Sequence, residues 1–443
     1  MNTRKSMLSG WGQYPQQLTE RLTPHSKRGI SEHLAHSSSL DDSPSLIARG
    51  LGRSYGDSAL AEQVMQTEHL NHYMAFNADS GELECAAGVS FAELLAIFVP
   101  RGWFLPVTPG TKFVTVGGAI ASDVHGKNHH VHGCFSQHVT QLTLALANGE
   151  VVTCSPDDKA QLFRATCGGM GLTGVILQAR FKLIPIESAY IQQRSYKSAN
   201  LAETLALFEE HDSATYSVAW IDCLSTGDKL GRSLLMLGEH ATDGELQAHR
   251  DSKLNVPLNM PGLLLNRYSI QAFNTLYYHK HTQTHAQSSL HYEPFFYPLD
   301  GIRNWNRLYG KNGFTQYQFV LPKSAGLEGM TRILKAIAES KRGSFLAVLK
   351  AFGEANDHYL SFPTEGYTLA LDFKIDATLF SFLEKLDRIV LDYGGRLYLT
   401  KDARMSEATF KQSYPQWQTF QEVRHQYGAD RVFNSLQSQR LGL

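Results

Sequence analysis

Hydrophobic positions along this chain change their period, and the changes mark its parts. Residues 1–45 are polar and mixed, with Trp11 and Tyr14 as candidate anchors. From Leu46 onward, short apolar runs alternate with tight turns, and Leu83–Ala87 reads as a strand. Ser90 with Glu93 three residues on is a capping box that opens a helix. Phe91, Leu94, Leu95 and Phe98 give that helix one apolar face. Leu142–Ala147 and Glu150–Cys154 flank Asn148-Gly149, the pattern of a β-hairpin closed by a type I′ turn. Asp157 to Thr166 predicts a short helix, and Val175–Leu183 a strand. Around Ile186 to Ser198 the character shifts. Strands at Tyr216–Asp222, Ser233–Leu237, Thr315–Leu321 and Thr368–Phe373 now alternate with amphipathic helices. Their apolar faces are Leu201/Leu205/Phe208, Leu327/Met330/Leu334/Ile337 and Phe382/Leu386/Ile389/Val390, the last closed by Gly394-Gly395. Such units predict an antiparallel sheet covered by helices, within an α+β chain. Leu254–Tyr268 fits neither period. Its prolines and asparagines forbid a long helix, so it reads either as a loop packed on the domain or as an apolar loop that meets lipid.

Composition narrows the class. A length of 443 residues predicts two or three domains. A hydrophobic fraction of 42% with 19% charged residues is ordinary for a globular protein. The net charge of −1 gives no case for nucleic acid or for a broad anionic surface. Five cysteines, an odd number without a CxxC pair, argue against a disulfide framework and a zinc ribbon. The opening MNTRKSMLSGWGQYP lacks the apolar core of a signal peptide, and no run is long enough to span a bilayer. A cytoplasmic protein, or one peripheral to the inner membrane, is the expectation.

Chemistry concentrates in glycine-rich loops. Thr108–Asn128, TPGTKFVTVGGAIASDVHGKN, holds four glycines and reads either as an anion cradle built from backbone N–H groups or as a turn between strands. It is neither a GxxxxGK[ST] loop nor a GxGxxG dinucleotide loop. ARGLGRSYGDSA at residues 48–59 and CGGMGLTG at residues 167–174 repeat the theme at strand ends. Three such loops suit a long cofactor carrying a pyrophosphate. Together RGLGRSYGD, TPGTxxVTVGGAIASDVHGKNHH and GGMGLTG resemble the vanillyl-alcohol-oxidase (PCMH-type) flavoproteins, and within them the branch that oxidises polyprenyl-phosphoryl ribose. The resemblance runs over nearly the whole chain. It implies a PCMH-type two-part FAD-binding domain at residues 1–190 with a return at 396–443, and a substrate domain at residues 191–395. It also implies cofactor contacts, residue by residue. The first loop supplies Arg49, Gly50, Gly52, Arg53, Ser54, Tyr55 and Gly56. The second supplies Gly110, Thr115, Val116, Gly117, Gly118, Ser122, Asp123, His125, Gly126 and Asn128. The third supplies Gly171 and Gly174, with Ile176 just beyond, and Tyr398 follows from GGRLYLTKDAR.

Oxidising an alcohol removes a hydride and a proton. No side chain takes up the hydride, so a flavin or nicotinamide is required, and the loops favour FAD. Relatives that link the flavin covalently do so through histidine in a GxGHS-like context. This chain has Arg53 there, so non-covalent FAD is expected. Lys401 matches the family lysine that reaches substrate and flavin; taken alone, a lysine is more often a solvated surface group. His125 and Tyr55 match residues beside flavin and substrate, and Lys127 would support the loop. Gln316 and Gln318 share one face of a strand. Trp220 and Lys350 match substrate positions too. Ala370 stands where pathogen relatives carry a cysteine, so inhibitors that trap that thiol covalently are expected not to act. The histidines at 125, 129, 130, 132 and 138 also invite a metal site, but their spacing is not that of HExxH. The resemblance implies oxidation of the 2′-hydroxyl of a polyprenyl-phosphoryl ribose to a keto sugar. A separate keto-sugar reductase, of the short-chain dehydrogenase type, would complete an epimerisation to arabinose. A quinone or other acceptor would take the electrons, and the lipid-linked substrate implies peripheral membrane contact. The competing readings are an alditol or aldonolactone oxidase on soluble polyols, and a metal-dependent hydrolase built on the histidines.

Overall fold

The structure is a computed structural model and describes residues 2–40, 44–249, 254–261 and 265–443. Three large sheets carry it, with a two-stranded one joining Trp103–Phe104 to Ile184–Pro185. Eight antiparallel strands form the largest, in the order His285–His291, Tyr190–Ser198, Ser233–His240, Tyr216–Ile221, Ala347–Phe352, Gly366–Lys374, Phe314–Pro322 and Arg396–Leu397. Helices Leu201–Glu210, Gly326–Ser340 and Leu379–Asp392 cover one face with their apolar stripes. Two expected stripe positions differ: Leu327 is exposed, the Gly326–Ser340 stripe running instead through Gly329 and Ile333, and Phe382 on Leu379–Asp392 is only half-buried. The observed architecture is the α+β sheet-and-helix arrangement that the alternation predicts.

The other sheets lie in the first half. Five antiparallel strands run in the order Tyr73–Asn77, Glu82–Ala86, Val175–Lys182, Val139–Ala145 and Val151–Cys154. The helix Phe91–Phe98 carries the expected capping box, with Ser90 and Glu93 each bonding the other's backbone N–H. The connection at Asn148-Gly149 is not a type I′ turn. Type I′ needs positive φ at both central residues, and here only Gly149 has it, at 81°. The Gly149 N–H bonds the Leu146 carbonyl, and the Leu146 N–H bonds that of Glu150, giving a longer connection with a glycine bulge. The reason is tertiary: a Cβ at Gly149 would fall 2.4 Å from the Ser31 carbonyl of helix Lys27–Ser38.

The polar N-terminal stretch is more ordered than its pattern suggests. Asn2–Ser9 and Gln16–Thr23 pair as a hairpin, which joins Gln63–Gln66 and Leu46–Arg49 in a four-stranded sheet. Trp11 and Tyr14 do anchor it, against Trp305 and Phe380. After Arg396–Leu397 pairs in the large sheet, the chain runs back: Phe433 bridges Leu46, and Arg440 pairs with Asp57 and Asp402. In the Leu254–Tyr268 stretch, residues 262–264 lie outside the described residues. Leu254 and Leu258 are exposed, while the Val256 and Met260 N–H groups bond the Arg303 and Arg307 carbonyls.

Candidate active site

A cavity of about 280 Å³ lies between the helix-free face of the large sheet and the glycine loops. The alternation on Phe314–Pro322 explains its floor. Tyr317 points into the helical layer and donates to Asp387, whereas Gln316 and Gln318 point into the cavity. Neighbouring strands add Val348, Lys350 and Ala370, and the segment after Arg396–Leu397 adds Tyr398 and Lys401.

At one end, Lys401 Nζ stands 4.0 Å from the centre of the Tyr55 ring. Gln316 Nε2 donates to the Tyr55 hydroxyl at 3.3 Å and to Asp372 Oδ1 at 2.7 Å, and Tyr309 donates to Asp372 Oδ2 at 3.4 Å. Burial works on this pair in opposite directions. It lowers the Lys401 ammonium, which the Asp372 charge partly restores, and it raises the Asp372 carboxyl. Burial also raises the Tyr55 phenol well above its ordinary value. His125 lies nearby among the rings of Phe352, Phe362 and Tyr398. Burial first, then Lys350, His129 and Lys401, hold its pKa well below the usual range, so the ring is neutral. Its Nε2 accepts from Gln318 Nε2 at 3.0 Å. The proton therefore sits on Nδ1, which is buried without a hydrogen-bond partner among the described residues. Lys127 and Lys350 also line the cavity, lowered to about 7 and about 8 by burial.

The opposite end suits an elongated anion-bearing group. The backbone N–H groups of residues 50–54 meet no protein acceptor among the described residues. A Cβ at Gly50 would fall 2.3 Å from Thr115 Oγ1, so the first loop can press its backbone against the Thr115 side chain only because residue 50 is glycine. The Arg53 guanidinium stacks on Trp11 at 4.0 Å and faces Phe113 at 5.2 Å, with no side-chain hydrogen bond among the described residues. The second loop behaves differently from a cradle. Its Val116 and Gly117 N–H groups bond the Val89 and Ala87 carbonyls, and Thr115 Oγ1 takes that of Gly118. Its small residues serve close packing, and the free donors belong to the first loop. These free donors and the orphaned His125 Nδ1–H fit a flavin dinucleotide.

Most of the expected site residues meet in this cavity. Gly56, Val116, Asp123, Asn128 and Trp220 do not line it. Gly56 packs on the Asp402 carbonyl, and Val116 is buried in the core. Asp123 is an internal strut, accepting from Ser136, Ser361 and Asn356. Asn128 donates to the Pro106 carbonyl. Trp220 pairs with Val348 in the sheet, but Tyr277 covers its ring at 4.8 Å and its Nε1 donates to Phe345. The histidines diverge: His130 and His138 bond the Ala214 and His132 carbonyls, and His129 accepts from Gly353. No His, Cys, Asp and Glu group stands close enough to hold a metal ion among the described residues.

Sequence reasoning passed over Asp372, although it shares the strand face of Ala370 two residues before it. Lys127, expected as a support, lines the cavity. Asp300, Trp305 and Leu299 were also missed, because residues 292–309 show no period that marks a wall.

Comparisons with known proteins agree with this construction. A family model described as an FAD binding domain matches residues 33–155, and one described as D-arabinono-1,4-lactone oxidase matches residues 314–441. An L-gulono-1,4-lactone dehydrogenase of Mycobacterium tuberculosis is 22% identical over 87% of each chain. A Streptomyces coelicolor protein of unassigned activity is 31% identical over 80% of this chain and 100% of its own. The decaprenylphosphoryl-β-D-ribose oxidase of Mycolicibacterium smegmatis is 37% identical over 100% of this chain and 98% of its own. A full-length match at that identity, joined to an FAD-binding half and a cavity that fits the flavin, places the chain in the decaprenylphosphoryl-β-D-ribose oxidase family of FAD-dependent oxidoreductases.

Proposed function

We propose that this enzyme oxidises the 2′-hydroxyl of a polyprenyl-phosphoryl ribose to the keto sugar, the first half of an epimerisation to the arabinose configuration. One observation carries the reading: Lys401, Tyr55, Gln316, His125 and Gln318 converge on one end of a cavity whose other end holds free backbone donors. FAD, when bound, supplies the two-electron acceptor. Residues 50–54, Gly110, Gly171 and Gly174 would hold it, and Arg53 would face its phosphates without a covalent link. The lowered pKa of Lys401 leaves a neutral fraction near neutrality, which takes the proton of the reacting hydroxyl. The Tyr55 ring face then steadies the ammonium that forms. Gln316 fixes the Tyr55 hydroxyl against Asp372, and Gln318 fixes the His125 ring through Nε2, leaving the proton on Nδ1.

We take residues 1–190 and 396–443 as the FAD-binding part and 191–395 as the substrate domain, a reading supported by the glycine loops that precede residue 190 and by Phe433 and Arg440 packing back on Leu46 and Asp57. A separate reductase would act on the keto sugar, and a quinone or similar acceptor would reoxidise the cofactor. No helix among the described residues is long and apolar enough to cross a membrane. Exposed Leu254, Leu258, Tyr268 and Leu276 support a peripheral contact with lipid.

Stopped-flow absorbance tests the reading. Farnesylphosphoryl ribose is expected to bleach the flavin band. No bleaching with it, together with bleaching by free alditols or aldonolactones, would overturn the assignment in favour of a soluble polyol. Acid precipitation is expected to leave the yellow colour in the supernatant.

A further inference from the structure

Gln316 and Asp372 face each other across the sheet, on the paired strands Phe314–Pro322 and Gly366–Lys374. The Gln316 Nε2 carries two hydrogens. It gives one to Asp372 Oδ1 at 2.7 Å and the other to the Tyr55 oxygen at 3.3 Å. The carboxylate dictates this arrangement. An ionised carboxylate only accepts, so Asp372 holds the NH2 side of the Gln316 amide, and not its oxygen, towards itself and Tyr55. Asp372 is itself buried and tied on both sides. Tyr309 donates to its Oδ2 at 3.4 Å, and its backbone N–H donates to Ser344 Oγ at 3.1 Å.

Tyr55 is thus an acceptor, and its own hydrogen meets no acceptor among the described residues. Burial raises the phenol far above its ordinary value, so the hydrogen stays on. No charged neighbour takes it. Lys401 Nζ lies over the face of the ring, 4.0 Å from its centre, whereas a phenol O–H lies in the ring plane. Arg53 carries donors only. The Asp300 oxygens accept instead from Thr111 and the Lys112 N–H. The Gln316 hydrogen occupies one in-plane side of the Tyr55 oxygen, which leaves the Tyr55 hydrogen on the other. A buried donor without an acceptor is unfavourable, and an alcohol under oxidation brings the acceptor. We infer that Asp372 is a positioning residue for the reaction: through Gln316 it makes Tyr55 a hydrogen-bond donor to the oxygen being oxidised. The inference rests on the function proposed above. As the carbon loses its hydride to the flavin and the hydroxyl proton passes to Lys401, the C–O bond becomes C=O, and negative charge builds on that oxygen on the way. A donor fixed beforehand stabilises this charge, whereas a freely turning hydroxyl spends part of its time facing elsewhere. Asp372 itself never touches the substrate.

A double-mutant cycle on the FAD-loaded enzyme tests this, with flavin content and melting temperature as the check on folding. Flavin bleaching by farnesylphosphoryl ribose is followed against pH, and the plateau rates reached where Lys401 is neutral are compared. Tyr55→Phe is expected to lower the plateau about a hundredfold. Asp372→Asn keeps the shape but can turn its own NH2 towards Gln316, and is expected to lower the plateau about tenfold with KM nearly unchanged. In the Tyr55→Phe background the same substitution is expected to cost less than about twofold, because the phenol it positions is gone. Equal losses in both backgrounds overturn the inference. Asp372 also raises the proton affinity of Lys401, so Asp372→Asn moves the profile to lower pH; a profile that moves with its plateau intact overturns the inference too. Gln316→Met cuts the same link without touching the carboxylate. It is expected to match the Asp372→Asn loss, and it decides the question if Asp372→Asn does not fold; an unaltered plateau overturns. Without substrate, the flavin absorption band is expected to be the same in the parent, Tyr55→Phe and Asp372→Asn. A band displaced in both variants would assign the Tyr55 hydrogen to the cofactor and overturn the inference. The cycle runs on any alcohol that bleaches the flavin. If farnesylphosphoryl ribose fails and a free alditol bleaches, the proposed substrate falls, and the alditol plateau rates decide the role of Asp372 on their own.

Discussion

Lys401 is one of three lysines lining the cavity whose ammonium groups burial weakens. Replacing it with Met keeps the volume and removes the proton acceptor. Flavin reduction is expected to slow by about a hundredfold or more while FAD stays bound, measured by stopped-flow absorbance. Lys350 gives a prediction on stability. Its pKa falls from 10.5 to about 8 on folding, a shift that corresponds to about 3 kcal/mol by the usual conversion. Below pH 8 the group is charged in both states and the folded protein bears the full penalty. Between pH 8 and 10.5 the unfolded chain binds more protons, so stability rises with pH, and above 10.5 the penalty is gone. Lys350→Met is therefore expected to raise the melting temperature of the flavin-free protein at pH 7, with the gain shrinking towards pH 10.5. A gain that does not vary with pH would contradict this.

At the scale of elements, much was legible. The capping box at Ser90, the alternation that turns Gln316 and Gln318 away from Tyr317, and the helical stripe ending at Gly394 are local patterns, and they hold. What was not legible depended on partners far along the chain. The Asn148-Gly149 turn yields to the helix pressed against it. The polar hairpin at residues 2–23 has no core-facing stripe long enough to mark it. Trp220 matches the family's substrate side, but a helix, Arg267–Lys280, brings Tyr277 over its ring. Gly56 shows the same dependence. A Cβ there would fall 2.0 Å from the Asp402 carbonyl, where backbone cannot yield. Gly56→Ala is expected to force apart the first glycine loop and the segment bearing Lys401, at a cost of about 2–4 kcal/mol. Thermal denaturation and the FAD-to-protein ratio should both fall.

For the whole molecule, the cavity is a seam. Its walls come from Trp11 near one end of the chain through Lys401 near the other, so cofactor binding should tighten all three sheets at once. Adding FAD at a hundred times its Kd is expected to stabilise the protein by about 2.7 kcal/mol, read as a shift in melting temperature. The exposed leucines make a separate prediction. Leu258→Asp with Leu276→Asp should reduce co-sedimentation with phosphatidylglycerol vesicles and leave flavin content unchanged; equal sedimentation would remove the membrane contact. The ion pairs of Arg440 with Asp57 and Asp402 carry a consequence for biosynthesis. The first glycine loop is clasped by a residue 383 positions further along the chain. While the ribosome is still adding residues, that clasp is missing, so FAD retention is expected to fall in an Arg440→Gln variant, read as the ratio of flavin to purified protein.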